Sequence, residues 1–133
     1  VHMIMAGAPK LEFFELFSCW GYNNLTFDSP SLRAVKVCEI ESYNHESVEH
    51  AHGPVLRISA PNVRSLKLTG SLYRKCVLVN VPSVVHATLD FRPYTQPHRE
   101  VNLKRQKDNL MELGRSLKHV ESLTLGIWCV EVL

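Results

Sequence analysis

The chain has 133 residues, of which 45% are hydrophobic and 21% charged, as expected for one globular domain that buries its own core. That composition excludes a disordered tail, a collagen-like repeat and a disulfide-rich miniprotein. The 15 Lys and Arg against 13 Asp and Glu leave a formal net charge of +2, which gives no electrostatic support for a nucleic acid or an anionic membrane as partner.

One apolar spacing, Pro-x-Φ-x-x-Φ-x-Φ with Φ for an apolar residue, recurs along the chain. The four copies are Pro9, Leu11, Phe14 and Leu16; Pro30, Leu32, Val35 and Val37; Pro61, Val63, Leu66 and Leu68; Pro82, Val84, Ala87 and Leu89. A fifth copy has its apolar residues at Val120, Leu123 and Leu125 and Lys118 at the proline position. Three copies share another apolar residue three positions before the proline: Phe27, Ile58 and Val79. A period of about 20–30 residues with this apolar pattern is typical of a leucine-rich repeat, and the copies here are irregular in length.

The last three positions of each copy predict a short strand. Alternate side chains of a strand point to one side, so the two apolar residues of each Φ-x-Φ face one core, and the preceding proline costs no ladder bond. The predicted fold is therefore α/β, an irregular leucine-rich-repeat solenoid with a curved parallel sheet of about five short strands. The alternative is an ordinary mixed or all-β domain in which proline-preceded strands recur by chance.

The segments between the strands differ from one another. Residues 39–53 are polar and predict a surface excursion in the second copy. Residues 102–117 carry Leu103, Leu110, Leu113 and Leu117 at roughly helical spacing and predict a helix on the convex side, which Gly114 weakens or ends. Aromatic residues after the first strand are expected to fill the space between repeats, with a small-molecule pocket as the alternative: Trp20, Tyr22 and Phe27.

The middle residue of each predicted Φ-x-Φ points away from the core, onto the concave face that solenoids use for partners. With flanking outward positions, the candidate partner-binding residues are Phe13, Glu15, Phe17, Lys36, Ser65, Lys67, Thr69, His86, Thr88, Asp90, Ser122 and Thr124. Their mixture of charges and aromatic rings suits a protein surface better than a phosphate backbone. The alternative is a face that is merely solvated.

The four cysteines, Cys19, Cys38, Cys76 and Cys129, lack the C-x2-C spacing of a zinc site and are interpreted as reduced core thiols of an intracellular protein, cytoplasmic or nuclear. Membrane spans need about 20 apolar residues, and the chain has no such stretch and no signal-peptide pattern. We expect no membrane partner.

No catalytic, metal or cofactor site is expected. His50 and His52 near Glu46 and Glu49 could ligate a metal, but a polar loop rich in His and Glu is far commoner than a metal site. Cys76 or Cys129 could form a catalytic thiol–imidazole pair with His86 or His119, but nothing in the sequence indicates that these residues lie close together. A P-loop, a nucleophile elbow and an HExxH motif are all missing from the sequence. The basic residues Arg74 and Lys75, and those at 104–107, predict solvated surfaces rather than a nucleic-acid patch.

Four stretches of the sequence closely resemble the leucine-rich repeats of plant F-box proteins of the F-box/LRR and FBD type. They are LRISAPNVRSLKLTG at 56–70, VNVPSVVHATLDF at 79–91, LKHVESLTL at 117–125 and APKLEFFELFSC at 8–19. The resemblance implies the target-recognition part of an SCF-type ubiquitin ligase, whose F-box binds a Skp-type adaptor while the repeats hold the protein to be ubiquitinated.

No segment of this chain resembles an F-box or an FBD segment, so we expect residues 1–133 to be a repeat segment of a longer protein. The adaptor would then bind only outside this chain. The fragment would not be an enzyme, because the chemistry of such ligases belongs to other subunits. The alternative is a leucine-rich-repeat binding or scaffold module outside ubiquitin ligases, such as part of a plant immune-receptor repeat array.

Overall fold

The computed structural model describes residues 2–17, 22–39, 55–72, 74–93 and 103–133. Within these ranges the chain forms eight strands and three helices. In chain order they are α1 (His2–Gly7), β1 (Phe13–Phe17), β2 (Asn24–Thr26), β3 (Ala34–Glu39), β4 (Leu56–Ser59), β5 (Ser65–Ser71), β6 (Cys76–Asn80), β7 (His86–Arg92), α2 (Leu103–Ser116), β8 (Ser122–Leu125) and α3 (Ile127–Val132).

The strands form two parallel sheets, and the chain alternates between them. Strands β1, β3, β5, β7 and β8 form one sheet in that order, and β2, β4 and β6 form the other. The five strands of the first sheet are the five predicted from the repeated apolar spacing. The structure confirms an α/β fold with parallel sheets of short strands.

The pairing register aligns the copies of the repeat residue by residue. The apolar residues of the copies pair across the sheet as Phe14, Val35, Leu66, Ala87 and Leu123, and as Leu16, Val37, Leu68, Leu89 and Leu125. A slip of one residue would turn each of these side chains to the opposite face. The apolar pattern therefore fixes the register.

The same four-residue turn precedes each strand of the five-stranded sheet. In it the N–H of the fourth residue donates to the carbonyl of the first, as from Leu11 to Ala8 (3.0 Å). In four of the five turns the second residue is proline, whose fixed φ suits this position. In the last turn the second residue is Lys118. The five bonds run to Ala8, Ser29, Ala60, Val81 and Leu117 from Leu11, Leu32, Val63, Val84 and Val120.

The third residue of each later turn bonds back to the turn region before it. Ser31 and Ser83 donate through their hydroxyls, Asn62 through its amide, and His119 bonds through Nε2. The accepting carbonyls are those of Leu11 for Ser31 (2.8 Å), Asp28 for Asn62 (3.2 Å), Pro61 for Ser83 (2.7 Å) and Val81 for His119 (2.9 Å). These bonds tie successive turns together at the same edge of the sheet.

The core lies between the two sheets. Inward side chains of both are buried, among them Val35, Val37, Leu66, Leu68, Ala87 and Leu89 from the first sheet and Leu25, Leu56, Ile58, Cys76 and Leu78 from the second. Leu123 was expected in this core and is 43% exposed, because β8 is the last strand of its sheet and β7 covers it from one side only.

The second sheet corrects one predicted equivalence. Leu25, Ile58 and Leu78 are register partners, and the N–H of Phe27 donates to the carbonyl of Ser59 (2.8 Å). Phe27 therefore does not correspond to Ile58. Val79 lies where the pairing of β4 and β6 shifts register, and it is 58% exposed instead of buried, since the extra residue of a bulge has no partner opposite it.

Helix α2 confirms the helix predicted over 102–117. Its buried side chains include Leu110 and Leu113, and the helix packs beside β6. Gly114 lies within the helix and does not end it, and Leu103, expected on the apolar side, is exposed. Asn109, also on α2, is buried. With its amide oriented so that oxygen and nitrogen are both hydrogen-bonded, it donates to the Cys76 carbonyl (2.9 Å) and accepts from the Cys76 N–H (3.2 Å).

Among the described residues, none of the helices has the length and apolar character needed to cross a membrane.

Candidate functional site

The candidate site is the side of the five-stranded sheet that is turned away from the core, which we call the open face. All twelve candidate partner-binding residues lie on it, and none of them is buried. In register they form three rows across the sheet: Phe13, Ser65, His86 and Ser122; Glu15, Lys36, Lys67, Thr88 and Thr124; Phe17, Thr69 and Asp90. The positions between them in the first and third rows are Ala34 and Cys38.

The central row places three charged side chains on adjacent strands. The Lys36 Nζ lies 3.3 Å from the Glu15 Oε1, so these two charges offset each other. Lys67 is the next residue in the row, about 4.8 Å further along the sheet. Its side chain is exposed, and the structure gives its ammonium no carboxylate within ion-pair distance among the described residues.

Strand β1 contributes two exposed aromatic rings. Phe13 and Phe17 point outward on either side of Glu15, and 55% and 59% of their surfaces are exposed. Phe14, between Phe13 and Glu15, points inward, with its ring centroid 5.6 Å from that of Phe27. The open face therefore has an apolar region at its β1 side.

The opposite side of the open face is more polar. His86 starts β7 between Ser65 on β5 and Ser122 on β8. Asp90, at the other end of β7, lies against Gly126: a Cβ on Gly126 would be 2.0 Å from its carboxylate oxygen. The Asp90 carboxylate therefore lies beside the turn before α3.

A buried polar cluster lies away from the open face and corrects two expectations. Arg74 was expected on a solvated turn and Glu39 in the polar excursion, yet their side chains are 9% and 7% exposed. Arg74 donates from Nε and Nη2 to the Glu39 carboxylate, both at 3.0 Å. The Tyr22 hydroxyl also donates to Glu39, and the guanidinium lies 5.0 Å from the Tyr22 ring centroid.

No signal in the sequence relates Glu39 to Arg74. The two residues are distant in the chain, and only the packing of one sheet on the other brings them together. Lys75, the neighbour of Arg74, does lie on the surface as expected, and its Nζ pairs with the Glu112 carboxylate at 3.1 Å. The rest of the polar excursion, with Glu46, Glu49, His50 and His52, lies outside the described residues, as does Trp20.

The described cysteines are buried free thiols: Cys38, Cys76 and Cys129. Cys19 lies outside the described residues. The pKa of the Cys76 thiol is raised from 9.0 to about 12, mainly by burial and to a smaller extent by the Glu39 carboxylate, while Arg74 acts to lower it. Burial likewise raises the pKa of Cys129. A thiol that keeps its proton is a poor nucleophile and a poor metal ligand.

The cavity beside Cys76 is too small for an organic ligand. It has a volume of about 10 Å³, the space of roughly one water molecule, and its lining includes Glu39, Arg74 and Phe91. Over the parts of the chain that the structure describes, no three His, Cys, Asp or Glu side chains are grouped as metal ligands would be. His119, one partner of the conceivable thiol–imidazole pairs, is bonded to the Val81 carbonyl instead.

Comparisons with known proteins give no match: no family model, no curated protein and no solved structure matches this chain.

Proposed function

We propose that this chain is a leucine-rich-repeat solenoid that binds a protein through its open face. We further propose that it forms the substrate-recognition segment of an F-box subunit of an SCF-type ubiquitin ligase. Its partners would be the protein to be ubiquitinated and, through an F-box outside this chain, a Skp-type adaptor. The chain would perform no chemistry and hold no cofactor of its own.

The repetition of one structural unit supports the solenoid. Each strand of the five-stranded sheet follows the same turn, and each later turn is bonded to the one before it. A unit of this kind buries its apolar side only by stacking on its neighbours. Between the second and fourth copies the chain also makes the same return through the second sheet, at β4 and β6.

The observation that carries the binding role is the composition of the open face. Backbone hydrogen bonds there are made within the sheet, so a partner meets side chains: two exposed phenylalanines, lysines, a histidine and several hydroxyls. Aromatic residues are enriched in protein interfaces, within a polar rim. The exposure of the two phenylalanines on β1 favours a binding face over one that is merely solvated.

The ligase assignment is supported by the resemblance to plant F-box proteins. The resembling segments now fall on successive structural units: residues 56–70 span β4 and most of β5, residues 79–91 lead into β7, and residues 117–125 lead into β8. Buried free cysteines fit a reducing compartment, and we propose an intracellular location, in the cytoplasm or the nucleus.

The test compares captured proteins between matched variants of the intact protein, expressed with an affinity tag in plant cells. Thr88→Glu places a larger, negatively charged side chain at the middle of the open face, and Thr26→Glu places the same change on the exposed side of the second sheet. We expect one set of proteins, identified by mass spectrometry, to be lost with Thr88→Glu and kept with Thr26→Glu. The Skp-type adaptor should be captured with both variants.

The two parts of the proposal fail separately. Capture that is insensitive to Thr88→Glu contradicts binding through the open face. Capture that depends on Thr88 but brings no adaptor contradicts the ligase role and favours a repeat module outside ubiquitin ligases. For the ligase role, a captured protein should also become longer-lived when the intact protein is depleted.

A further inference from the structure

We propose that the open face recognises an acidic segment of its protein partner, in which a carboxylate side chain lies beside an aliphatic or aromatic one. The carboxylate pairs with Lys67, and the apolar side chain packs on Phe13 and Phe17. This inference rests on the proposed binding function of the open face and specifies the chemistry of the partner.

The charges of the central row leave one cation unmatched. The Glu15 carboxylate offsets the charge of Lys36, whose Nζ lies 3.3 Å from Oε1. The two residues that follow Lys67 in the row, Thr88 and Thr124, are uncharged. Asp90, the other acid on the face, lies in the next row beside Gly126, and among the described residues its carboxylate is not within ion-pair distance of Lys67. Lys67 is therefore the charge at the centre of the face that a partner would complement.

A second exposed cation lies next to the same strand, β5. Arg64 directly precedes β5, its side chain is exposed, and among the described residues it has no acidic group within ion-pair distance. Its backbone carbonyl accepts from the N–H groups of Val85 and His86, so its backbone is fixed at the edge of the face. Arg64 and Lys67 are thus two exposed cations at β5 with no acidic partner among the described residues, which favours an anionic group of the partner over a cationic one.

The apolar part of the site lies two strands away from Lys67. Strand β1 is separated from β5 by β3, which places the phenylalanines about 10 Å from Lys67 at the usual strand spacing. Exposed aromatic rings of this kind supply much of the binding energy of protein interfaces. A segment that places a carboxylate and an apolar side chain about 10 Å apart would contact both.

The probe is a phage-displayed library of random peptides, selected on the intact protein. We expect enrichment of peptides that carry Asp or Glu near an aliphatic or aromatic residue. The affinity of a synthetic enriched peptide should fall about tenfold with Lys67→Glu, because attraction becomes repulsion, and less with Lys67→Gln. Lys104→Glu on α2 makes the same change in net charge away from the face and should leave the affinity unchanged.

The aromatic part of the site has its own matched pair. Phe13→Ser removes an exposed ring from the open face, and Val79→Ser removes a side chain of similar exposure from the second sheet. We expect only Phe13→Ser to weaken the peptide, by about fivefold. All these positions are exposed, so the variants should unfold at the temperature of the parent.

The outcomes separate this inference from the proposed function. Peptides that lose affinity with Thr88→Glu but show no acidic enrichment, or keep their affinity in Lys67→Glu, overturn the acidic-segment inference and leave binding through the open face intact. Peptides that none of the open-face variants affects overturn both. A selection that enriches no peptide above an unrelated immobilised protein also counts against both.

Discussion

Arg74 and Glu39 form a bidentate ion pair inside the protein, with both hydrogen bonds 3.0 Å long. Arg74 Nη1 also donates to the Tyr22 carbonyl at 2.8 Å. Tyr22 precedes β2, Glu39 ends β3 and Arg74 precedes β6, so one guanidinium joins three segments that are separated in the chain. Of the ion pairs among the described residues, this is the one in which both side chains are buried.

Replacing Arg74 by methionine should destabilise the protein strongly. The Glu39 carboxylate would stay buried without its partner, and breaking such a pair costs about 3–5 kcal/mol of unfolding free energy. Urea denaturation measures this. The double variant Glu39→Gln/Arg74→Met should recover part of the loss, since no buried charge remains.

The control for this prediction is Lys75→Met, which breaks the exposed pair with Glu112 and should cost less than about 1 kcal/mol. If Arg74→Met and Lys75→Met were equally mild, the Glu39 carboxylate would have to reach solvent, contrary to its burial in the structure.

Gly70 should not tolerate a side chain. It adopts φ of 103° opposite Glu39 in the sheet, and a Cβ there would be 2.0 Å from the Glu39 carbonyl oxygen. Gly70→Ala combines a strained backbone, about 1–3 kcal/mol by itself, with a clash against backbone atoms. We expect a loss of at least about 2 kcal/mol in chemical denaturation.

Gly114 supplies the matched control for Gly70. It lies in α2, and nothing is within 4 Å of a Cβ built there. Because alanine favours helix over glycine, Gly114→Ala should stabilise the protein by about 0.5–1 kcal/mol. Two substitutions of the same kind would thus have opposite signs, and equal signs would contradict the described backbone at one of the two sites.

Leu66 and Lys67 are neighbours on β5 that face opposite sides of the sheet. Leu66 is 2% exposed, so Leu66→Asp buries a charge without a partner and should prevent cooperative folding, as seen by circular dichroism. Lys67→Glu should leave the melting temperature nearly unchanged and alter binding alone. A Leu66→Asp protein that melts like the parent would show that the inward assignment of this strand is wrong.

Cys76 should make stability depend on pH in the alkaline range. Its pKa is 9.0 in the unfolded chain and about 12 in the folded one, so above pH 9 the unfolded state loses a proton that the folded state keeps. The contribution of the protonated Cys76 thiol to the unfolding free energy is present below about pH 9 and is lost as pH rises toward 12. At about pH 10 the loss is roughly 1.4 kcal/mol.

The measurement for Cys76 is the difference in unfolding free energy between the parent and Cys76→Ala at about pH 8 and pH 10. We expect the advantage of the parent to shrink by about 1 kcal/mol between the two. Val84→Ala, a core variant without a titratable group, should keep a constant difference. A constant difference for Cys76→Ala would mean that the thiol titrates alike in both states.

The sequence predicted the five-stranded sheet because its information is local and repeated. Each strand follows the same turn, with proline in four of the five, and places two apolar residues on one side. A pattern such as Leu66-x-Leu68 therefore fixes both the strand and its inward face. The residues of the open face follow from the same alternation, since a side chain next to an inward one must point outward. The helix over Leu103–Ser116 was predicted on the same basis, from its periodicity.

Contacts between distant segments were decided only by the tertiary structure. Glu39 and Arg74 both look like surface residues in the sequence, and only the stacking of the chain buries them together, where each meets the charge of the other. Val79 looks like core, but a shift in strand pairing turns it to solvent. The pairing of Lys36 with Glu15, which leaves Lys67 as the unmatched cation, likewise depends on which strands are neighbours. Alternation along a strand is encoded residue by residue, whereas desolvation and charge pairing depend on what the folded chain brings alongside.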